Sequence, residues 1–203
     1  MVGYRETDGE RESNVIVLLN GPFGGGKSTT AELLVEQVPG SRLFDPEEIG
    51  FMLRHLLPEY PGDFQDLPPW RALFHAAAAQ VHAFTGQALI APMSILRREY
   101  AEEVETGLRS RGLGVHRVVL APERSVLEER VAGHDVAPGH PEASEDARAF
   151  RRSKVDPFYE AYQEWLREWA DVVVDNTRLT PPQAADRVLA GLPDLLVHGA
   201  ISG

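Results

Sequence analysis

A nine-residue run, GPFGGGKST at residues 21–29, constrains the fold of this chain more than any other feature. It matches G-x-x-x-x-G-K-[ST], the loop that binds phosphates in nucleoside triphosphatases and kinases. Its glycines let backbone N–H groups turn towards phosphate oxygens, because no Cβ stands in the way. An apolar run precedes it at residues 15–20, and apolar residues at helical spacing follow it over 30–38. The sequence therefore predicts a buried strand, a phosphate-binding loop and a helix, in that order.

This loop also predicts which residues bind nucleotide and metal. The ammonium of Lys27 is expected to reach the β- and γ-phosphates, and the Ser28 hydroxyl to ligate Mg²⁺. The following helix adds the positive end of its dipole. Asn176, after the last predicted strand, either contacts the nucleotide or belongs to a plain turn. The predicted ATP-binding residues are Gly21, Gly24, Gly25, Gly26, Lys27, Ser28, Thr29 and Asn176, with Mg²⁺ at Ser28.

The rest of the chain alternates between short apolar runs and segments with helical spacing. Such alternation predicts an α/β fold, with a five-stranded parallel sheet and helices on both faces. We predict strands near 14–20, 41–44, 87–93, 114–120 and 171–175, and helices near 27–38, 46–57, 69–85, 97–111, 123–133, 145–169 and 181–190.

Composition excludes several classes of function. The 203 residues include no cysteine, which removes disulfides, thiolate nucleophiles and cysteine-based zinc sites. A net charge of −11 disfavours a general nucleic-acid binder, since phosphate backbones would be repelled. No apolar run reaches the roughly 18 residues that span a bilayer, and no secretory signal is apparent. We expect a cytoplasmic protein without stable membrane insertion, with a disordered tail at 1–13 and a single domain at 14–203.

Asp45 is the leading candidate for catalysis. It follows the second predicted strand in the sequence DPEE at residues 45–48, and ligands of a parallel sheet bind at the carboxyl ends of its strands. Asp45 could accept the proton of a substrate hydroxyl or orient the waters of a metal. It also suits the N-cap of the next helix, because Pro46 favours the first helical turn. The two roles are compatible.

The third predicted strand ends in APMS at residues 91–94, without an acidic residue. Phosphate-loop proteins commonly carry an aspartate at such a strand end to hold the magnesium shell. Its absence disfavours a motor, a helicase or a large ATPase, and it favours a small-molecule kinase.

The segment that follows Asp45 contains three candidates for substrate binding, because it is expected to pass over the ends of the strands. Arg54 and Arg71 could contact an acceptor, and Trp70 could stack on a planar group. The alternatives are surface arginines and a half-buried aromatic residue.

A polar segment at residues 134–147 lies where a phosphoryl-transfer enzyme would carry a lid, although an ordinary surface loop is the alternative. Arginines flank this candidate lid. Arginines there could stabilise the charge of the transferring phosphoryl group, whereas the alternative is surface ion pairing with Glu145 or Asp146. The flanking cations are Arg130 on one side and Arg148, Arg151, Arg152 and Lys154 on the other. The predicted catalytic set is Lys27, Asp45, Arg130, Arg148 and Arg152.

These motifs together resemble the tunicamycin-resistance proteins over about residues 14–130. The matching segments are VLLNGPFGGGK at 17–27, FDPEEIGFMLR at 44–54, DFQDLPPWR at 63–71, LIAPMS at 89–94, GVHRVVL at 114–120 and LEER at 127–130. The resemblance implies a P-loop fold like that of the nucleoside monophosphate kinases, ATP binding, and resistance to a lipid-linked nucleoside antibiotic.

We therefore expect an ATP-dependent phosphotransferase that acts on a hydroxyl of a nucleoside-type antibiotic such as tunicamycin. The partner is then a small molecule and not a nucleic acid. Two alternatives remain open. One is an immunity protein that binds ATP and drug without chemistry, and the other is a housekeeping sugar or nucleoside kinase that shares only the fold.

Overall fold

The computed structural model describes residues 14–133 and 141–195. The predicted tail at 1–13 and the first half of the candidate lid lie outside these ranges. Five strands form one sheet in the order β2-β3-β1-β4-β5, and every neighbouring pair is parallel. The strands are β1 (Val15–Asn20), β2 (Ser41–Leu43), β3 (Ala88–Met93), β4 (Gly114–Leu120) and β5 (Val172–Val174). The predicted five-stranded parallel sheet is confirmed.

Helices cover both faces of the sheet, as predicted. Alternate residues of β1 separate into two cores, since Ile16 and Leu18 pack on one face whereas Val17 and Leu19 pack on the other. The helices are α1 (Lys27–Gln37), α2 (Glu47–Leu56), α3 (Pro68–Thr85), α4 (Arg98–Arg109), α5 (Arg124–Gly133), α6 (Pro141–Ser153), α7 (Val155–Ala161), α8 (Arg167–Trp169) and α9 (Pro181–Gly191). Within the described ranges, no helix is both long and apolar enough to cross a membrane.

The single helix predicted over 145–169 is wrong. Helix α6 already begins at Pro141 and ends at Ser153, and α7 then continues into a π-helical turn at Tyr162–Leu166. Pro157 explains the break, because it has no N–H to donate to the carbonyl of Ser153 and its ring would crowd that carbonyl. A 3₁₀ turn at Phe64–Asp66 also escaped prediction.

The order of the strands brings together the loops that follow β1 and β3. β1 lies between β3 and β4, so the residues after β1 and β3 share one edge of the sheet. Asn20 at the end of β1 is paired with Met93 at the end of β3. The phosphate-binding loop therefore emerges beside Ser94, at the edge where ligands of parallel sheets bind.

Candidate active site

The loop at residues 21–26 has a backbone that requires glycine. Gly24 and Gly26 have φ angles of 81° and 89°, in the left-handed region that disfavours other residues. A Cβ on Gly25 would lie 2.9 Å from atoms of Pro22, and a Cβ on Gly21 would lie 3.0 Å from the carbonyl oxygen of Leu120. Side chains are therefore excluded where backbone N–H groups must face a phosphate, so the loop fits a triphosphate.

Residues from three strand ends hold this loop in place. The N–H of Gly21 donates to Asn20 Oδ1 at 2.8 Å, and its carbonyl accepts from Ser94 Oγ at 2.7 Å. Asn176, after β5, donates from Nδ2 to the carbonyl of Gly25 at 2.8 Å. The Oδ1 atom of Asn176 is buried without a partner among the described residues. Asn176 therefore has a structural role in holding the loop backbone, in addition to the nucleotide contact predicted for it.

Lys27 occupies the position expected for the phosphate-binding lysine. Its Nζ donates to the carbonyl of Pro22 at 2.8 Å and lies 5.2 Å from the centre of the Phe23 ring. Burial lowers the pKa of Lys27 to about 8, while the carboxylate of Glu47 acts in the opposite direction. Its protonation therefore changes close to neutral pH.

The loop forms one wall of a cleft of about 890 Å³, called the nucleotide cleft below. Helices α2, α5 and α6 supply the other walls. Of the predicted residues, the cleft is lined by Gly24, Gly26, Lys27, Ser28, Thr29, Asp45 and Arg130. The structure thus brings together the phosphate-binding residues, the candidate base and one arginine.

The oxygen donors in this cleft fit a magnesium ion held mainly by phosphates. The described residues contain no group of three acidic or histidine side chains that could hold a metal. Mg²⁺ usually binds through one or two protein oxygens together with substrate phosphates and waters. Ser28, Asp45 and Glu47 all line the cleft and offer such oxygens.

Asp45 and Glu47 form a pair of carboxylates. Helix α2 begins at Glu47, so Asp45 lies one residue before the N-cap that was predicted for it. Asp45 Oδ1 nevertheless accepts from the N–H of Glu47 at 2.9 Å. Burial, followed by the charge of Asp45, raises the pKa of Glu47. Glu47 was missed as a site residue because only the start of the helix decides that it faces the cleft.

The arginine prediction needs correction. Arg148 Nε pairs with Glu145 at 3.0 Å, and Arg152 pairs with the same carboxylate, so the surface ion pairing given as the alternative holds for both. Neither lines the nucleotide cleft, whereas Arg151 does and also lowers the pKa of Lys27. The spacing of the cluster was clear from the sequence, but the rotation of α6 against the loop was not.

Arg130 lies in the nucleotide cleft, as expected. Its guanidinium donates to the carbonyl oxygens of Asn176 at 2.9 Å and Thr177 at 3.3 Å. Two carbonyls from the segment after β5 therefore orient this cation, and Asn176 connects the same segment to the phosphate-binding loop.

The substrate-binding predictions for the other residues are not met. Trp70 is only 1% exposed and packs against Phe74 in the core, so it cannot stack on a ligand. Arg71 is 8% exposed, and its Nε pairs with Glu103 at 2.6 Å. Arg54 lies over the ring of Phe64 and does not line the nucleotide cleft.

Phe51 and Phe150 are cleft residues that sequence reasoning missed. Both line the nucleotide cleft and remain about half exposed, at 46% and 47%. Phe150 also contacts the ring of Phe23 edge-on, with the centroids 5.2 Å apart. Their exposure gave no signal in the sequence, because an apolar residue on an amphipathic helix is normally expected in the core.

Relatives of this chain are found among solved structures. No family model and no curated protein matches the chain. Among solved structures, the tunicamycin resistance protein of Deinococcus radiodurans is 30% identical with a TM-score of 0.67, and the match covers 88% of this chain and 95% of that chain.

Two further solved structures share the fold at lower identity. A gluconokinase from Sinorhizobium meliloti is 21% identical with a TM-score of 0.61, covering 92% of this chain and 96% of that one. The APS kinase of Mycobacterium tuberculosis is 20% identical with a TM-score of 0.56, covering 88% and 97%. The fold that this chain shares with them is that of the P-loop kinases. The chain belongs to the family of tunicamycin-resistance proteins.

Proposed function

We propose that this protein transfers the γ-phosphoryl group of ATP to a hydroxyl of a nucleoside-type antibiotic such as tunicamycin, and that it does so in the cytoplasm. The proposal rests on one observation: a single cleft is lined by Lys27, the carboxylates of Asp45 and Glu47, and the arginines Arg130 and Arg151. Kinases need this combination, because phosphoryl transfer depends on positioned cations and a group that accepts the hydroxyl proton.

Each residue has a distinct part in the proposed reaction. The loop backbone and Lys27 hold the phosphates, and Ser28 with the carboxylates supplies oxygen ligands for Mg²⁺. The metal, when bound, neutralises charge on the phosphate oxygens. Arg130 and Arg151 stabilise the negative charge that spreads over the transferring group.

The carboxylate pair handles the proton. The acceptor oxygen bonds to the γ-phosphorus while the bond from that phosphorus to the β,γ-bridging oxygen breaks, so ADP leaves. Asp45 or Glu47 takes the hydroxyl proton in this step. Burial raises the pKa of Glu47 and so favours it as a proton acceptor, whereas Asp45 also fixes the turn by accepting a hydrogen bond from the Glu47 N–H.

Labelled ATP provides the test. We expect wild-type protein to transfer label from γ-labelled ATP to tunicamycin, and Asp45→Asn and Glu47→Gln to lower the rate by about 10²-fold or more. Glu48→Gln is the matched control, because Glu48 is exposed on the same helix turn and does not line the cleft. Absence of product with tunicamycin and with a panel of hydroxylated antibiotics, nucleosides and sugars would refute the kinase function.

A second candidate function is drug binding without chemistry. It is favoured by the end of β3, where Pro92 lines the cleft in place of the usual acidic residue. It predicts ATP-dependent binding from which the drug is recovered unmodified. Mass spectrometry of the recovered drug separates the two functions, since a mass increase of one phosphoryl group excludes the binding-only function.

A further inference from the structure

A second cleft, of about 390 Å³, lies beside the nucleotide cleft and is called the side cleft below. Phe23 of the phosphate-binding loop lines both clefts. Ser94, which follows β3 and donates to the carbonyl of Gly21, also lines the side cleft. The side cleft therefore begins directly behind the loop that would hold the transferring phosphoryl group.

Both cations of the side cleft already have carboxylate partners. Lys154 Nζ lies 3.3 Å from Asp63 Oδ2, and Arg97 lies 3.8 Å from Asp66 Oδ1. The hydroxyl of Tyr100 donates to the same Asp66 oxygen at 3.0 Å. The charge of each cation is therefore offset by a neighbouring carboxylate.

Two further carboxylates in the side cleft have no such compensation. Glu160 lies on α7 and Glu164 on the π-helical turn, and both line the side cleft. No ion pair within residues 14–133 and 141–195 involves either of them. The lining thus carries two uncompensated negative charges beside the neutral polar groups of Gln65, Ser94 and Ser153.

The side cleft borders the nucleotide cleft along α6 as well. Lys154 Nζ, in the side cleft, lies 5.2 Å from the ring centre of Phe150, which lines the nucleotide cleft. A compound in the side cleft therefore lies next to the cleft that contains the phosphate-binding loop.

We propose that the side cleft binds the phosphoryl acceptor and selects hydroxyl-rich compounds that are uncharged or cationic over anionic ones. This inference rests on the proposed phosphotransferase function. Carboxylate and hydroxyl oxygens accept hydrogen bonds from ligand hydroxyls and amines, and the excess negative charge repels carboxylated or phosphorylated compounds.

Binding measurements on the full chain test this selectivity. We would use calorimetry with a non-hydrolysable ATP analogue at saturation and four probes: tunicamycin, D-glucose, D-glucosamine and D-gluconate. We expect the uncharged probes and glucosamine to bind, and gluconate to bind at least about five-fold more weakly than glucosamine. Gluconate binding as well as glucosamine, or no binding by any probe, would overturn the proposal.

Two variants locate the selectivity in the side cleft. The double substitution Glu160→Gln and Glu164→Gln should weaken glucosamine binding by about five-fold and leave tunicamycin binding within about two-fold, because only the charge is removed. Ser153→Trp should block the side cleft and weaken tunicamycin binding by about ten-fold without changing affinity for the ATP analogue. Ser110→Trp is its matched control, since both exposed serines donate to the carbonyl three residues earlier.

Failure of this inference can be told apart from failure of the proposed function. If the variants weaken binding of the probes but wild-type protein forms no phosphorylated product, the side cleft is a selective ligand site without phosphoryl transfer, and the kinase function falls. If product forms and Ser153→Trp leaves the KM for tunicamycin unchanged, the kinase function stands and the side cleft loses its assignment.

Discussion

The indole Nε1 of Trp70 donates a hydrogen bond to the carbonyl oxygen of Pro46, at a distance of 3.0 Å. Trp70 lies in the core on α3, whereas Pro46 separates the two cleft carboxylates. The bond therefore ties the turn that carries Asp45 and Glu47 to the core beneath it. A residue predicted to touch substrate instead positions the candidate base from behind the cleft wall.

Trp70→Phe tests this positioning role. The substitution keeps an aromatic ring but leaves the Pro46 carbonyl without its donor, so we expect a loss of about 1–3 kcal/mol in the free energy of unfolding. We also expect slower phosphoryl transfer at saturating substrate, because the carboxylates lose their support. Chemical denaturation and single-turnover kinetics measure the two effects.

The matched control is Trp169→Phe, which removes an indole donor that does not contact the segment carrying Asp45 and Glu47. Trp169 Nε1 donates to Glu105 at 3.0 Å, and neither residue lines the nucleotide cleft. This variant should lose stability while its rate per folded molecule stays at the wild-type value. Equal slowing in both variants would mean that Trp70 acts through stability alone.

Asn176→Ala should weaken binding of an ATP analogue by about ten-fold. The substitution removes the hydrogen bond to the Gly25 carbonyl and so loosens the loop whose backbone must face the phosphates. Asn176→Asp should be worse, because a carboxylate would face both that carbonyl and the phosphates. Calorimetry gives the affinities, and unchanged binding in both variants would exclude a positioning role for Asn176.

The pH dependence of nucleotide binding follows from the lowered pKa of Lys27. Free Lys27 loses its proton as the pH rises through about 8, so ATP-analogue affinity should fall between pH 7 and pH 9. Lys27→Met should bind weakly at both pH values and show little dependence on pH. A wild-type affinity that is constant over this range would contradict the lowered pKa.

The same shift has an opposite consequence for stability. An unfolded chain keeps the Lys27 proton up to about 10.5, whereas the folded protein loses it near 8. Between these values the unfolded state binds more protons, so the contribution of Lys27 to the free energy of unfolding rises with pH and is least favourable below 8. Denaturation of wild type and Lys27→Met across this range isolates that contribution.

The sequence predicted those features that depend on residues close together in the chain, and it did not predict those that depend on packing between distant elements. The phosphate-binding loop was predictable because its glycines and Lys27 act within a few residues of one another. The roles of Trp70 and Arg71 were not predictable, since their burial depends on how α3 packs against the sheet and α4. Glu47 was likewise missed because its orientation depends on the residue at which α2 begins.

The arginines of α6 also could not be assigned from the sequence, because their roles depend on how the helix is rotated against the loop. Two of them allow a direct test. Arg151 lines the nucleotide cleft, whereas its neighbour Arg152 pairs with Glu145 on the surface. Arg151→Ala should therefore lower the rate of phosphoryl transfer by about 10²-fold or more, because a cation beside the transferring group is lost.

Arg152→Ala is the control on the same helix. It removes an exposed ion pair, so its rate should stay within about two-fold of wild type and its free energy of unfolding within about 1 kcal/mol. Rapid-quench assays with labelled ATP compare the two variants directly. A larger loss of rate in Arg152→Ala than in Arg151→Ala would mean that α6 rotates against the loop when substrate binds, and that Arg152 is catalytic, as predicted from the sequence.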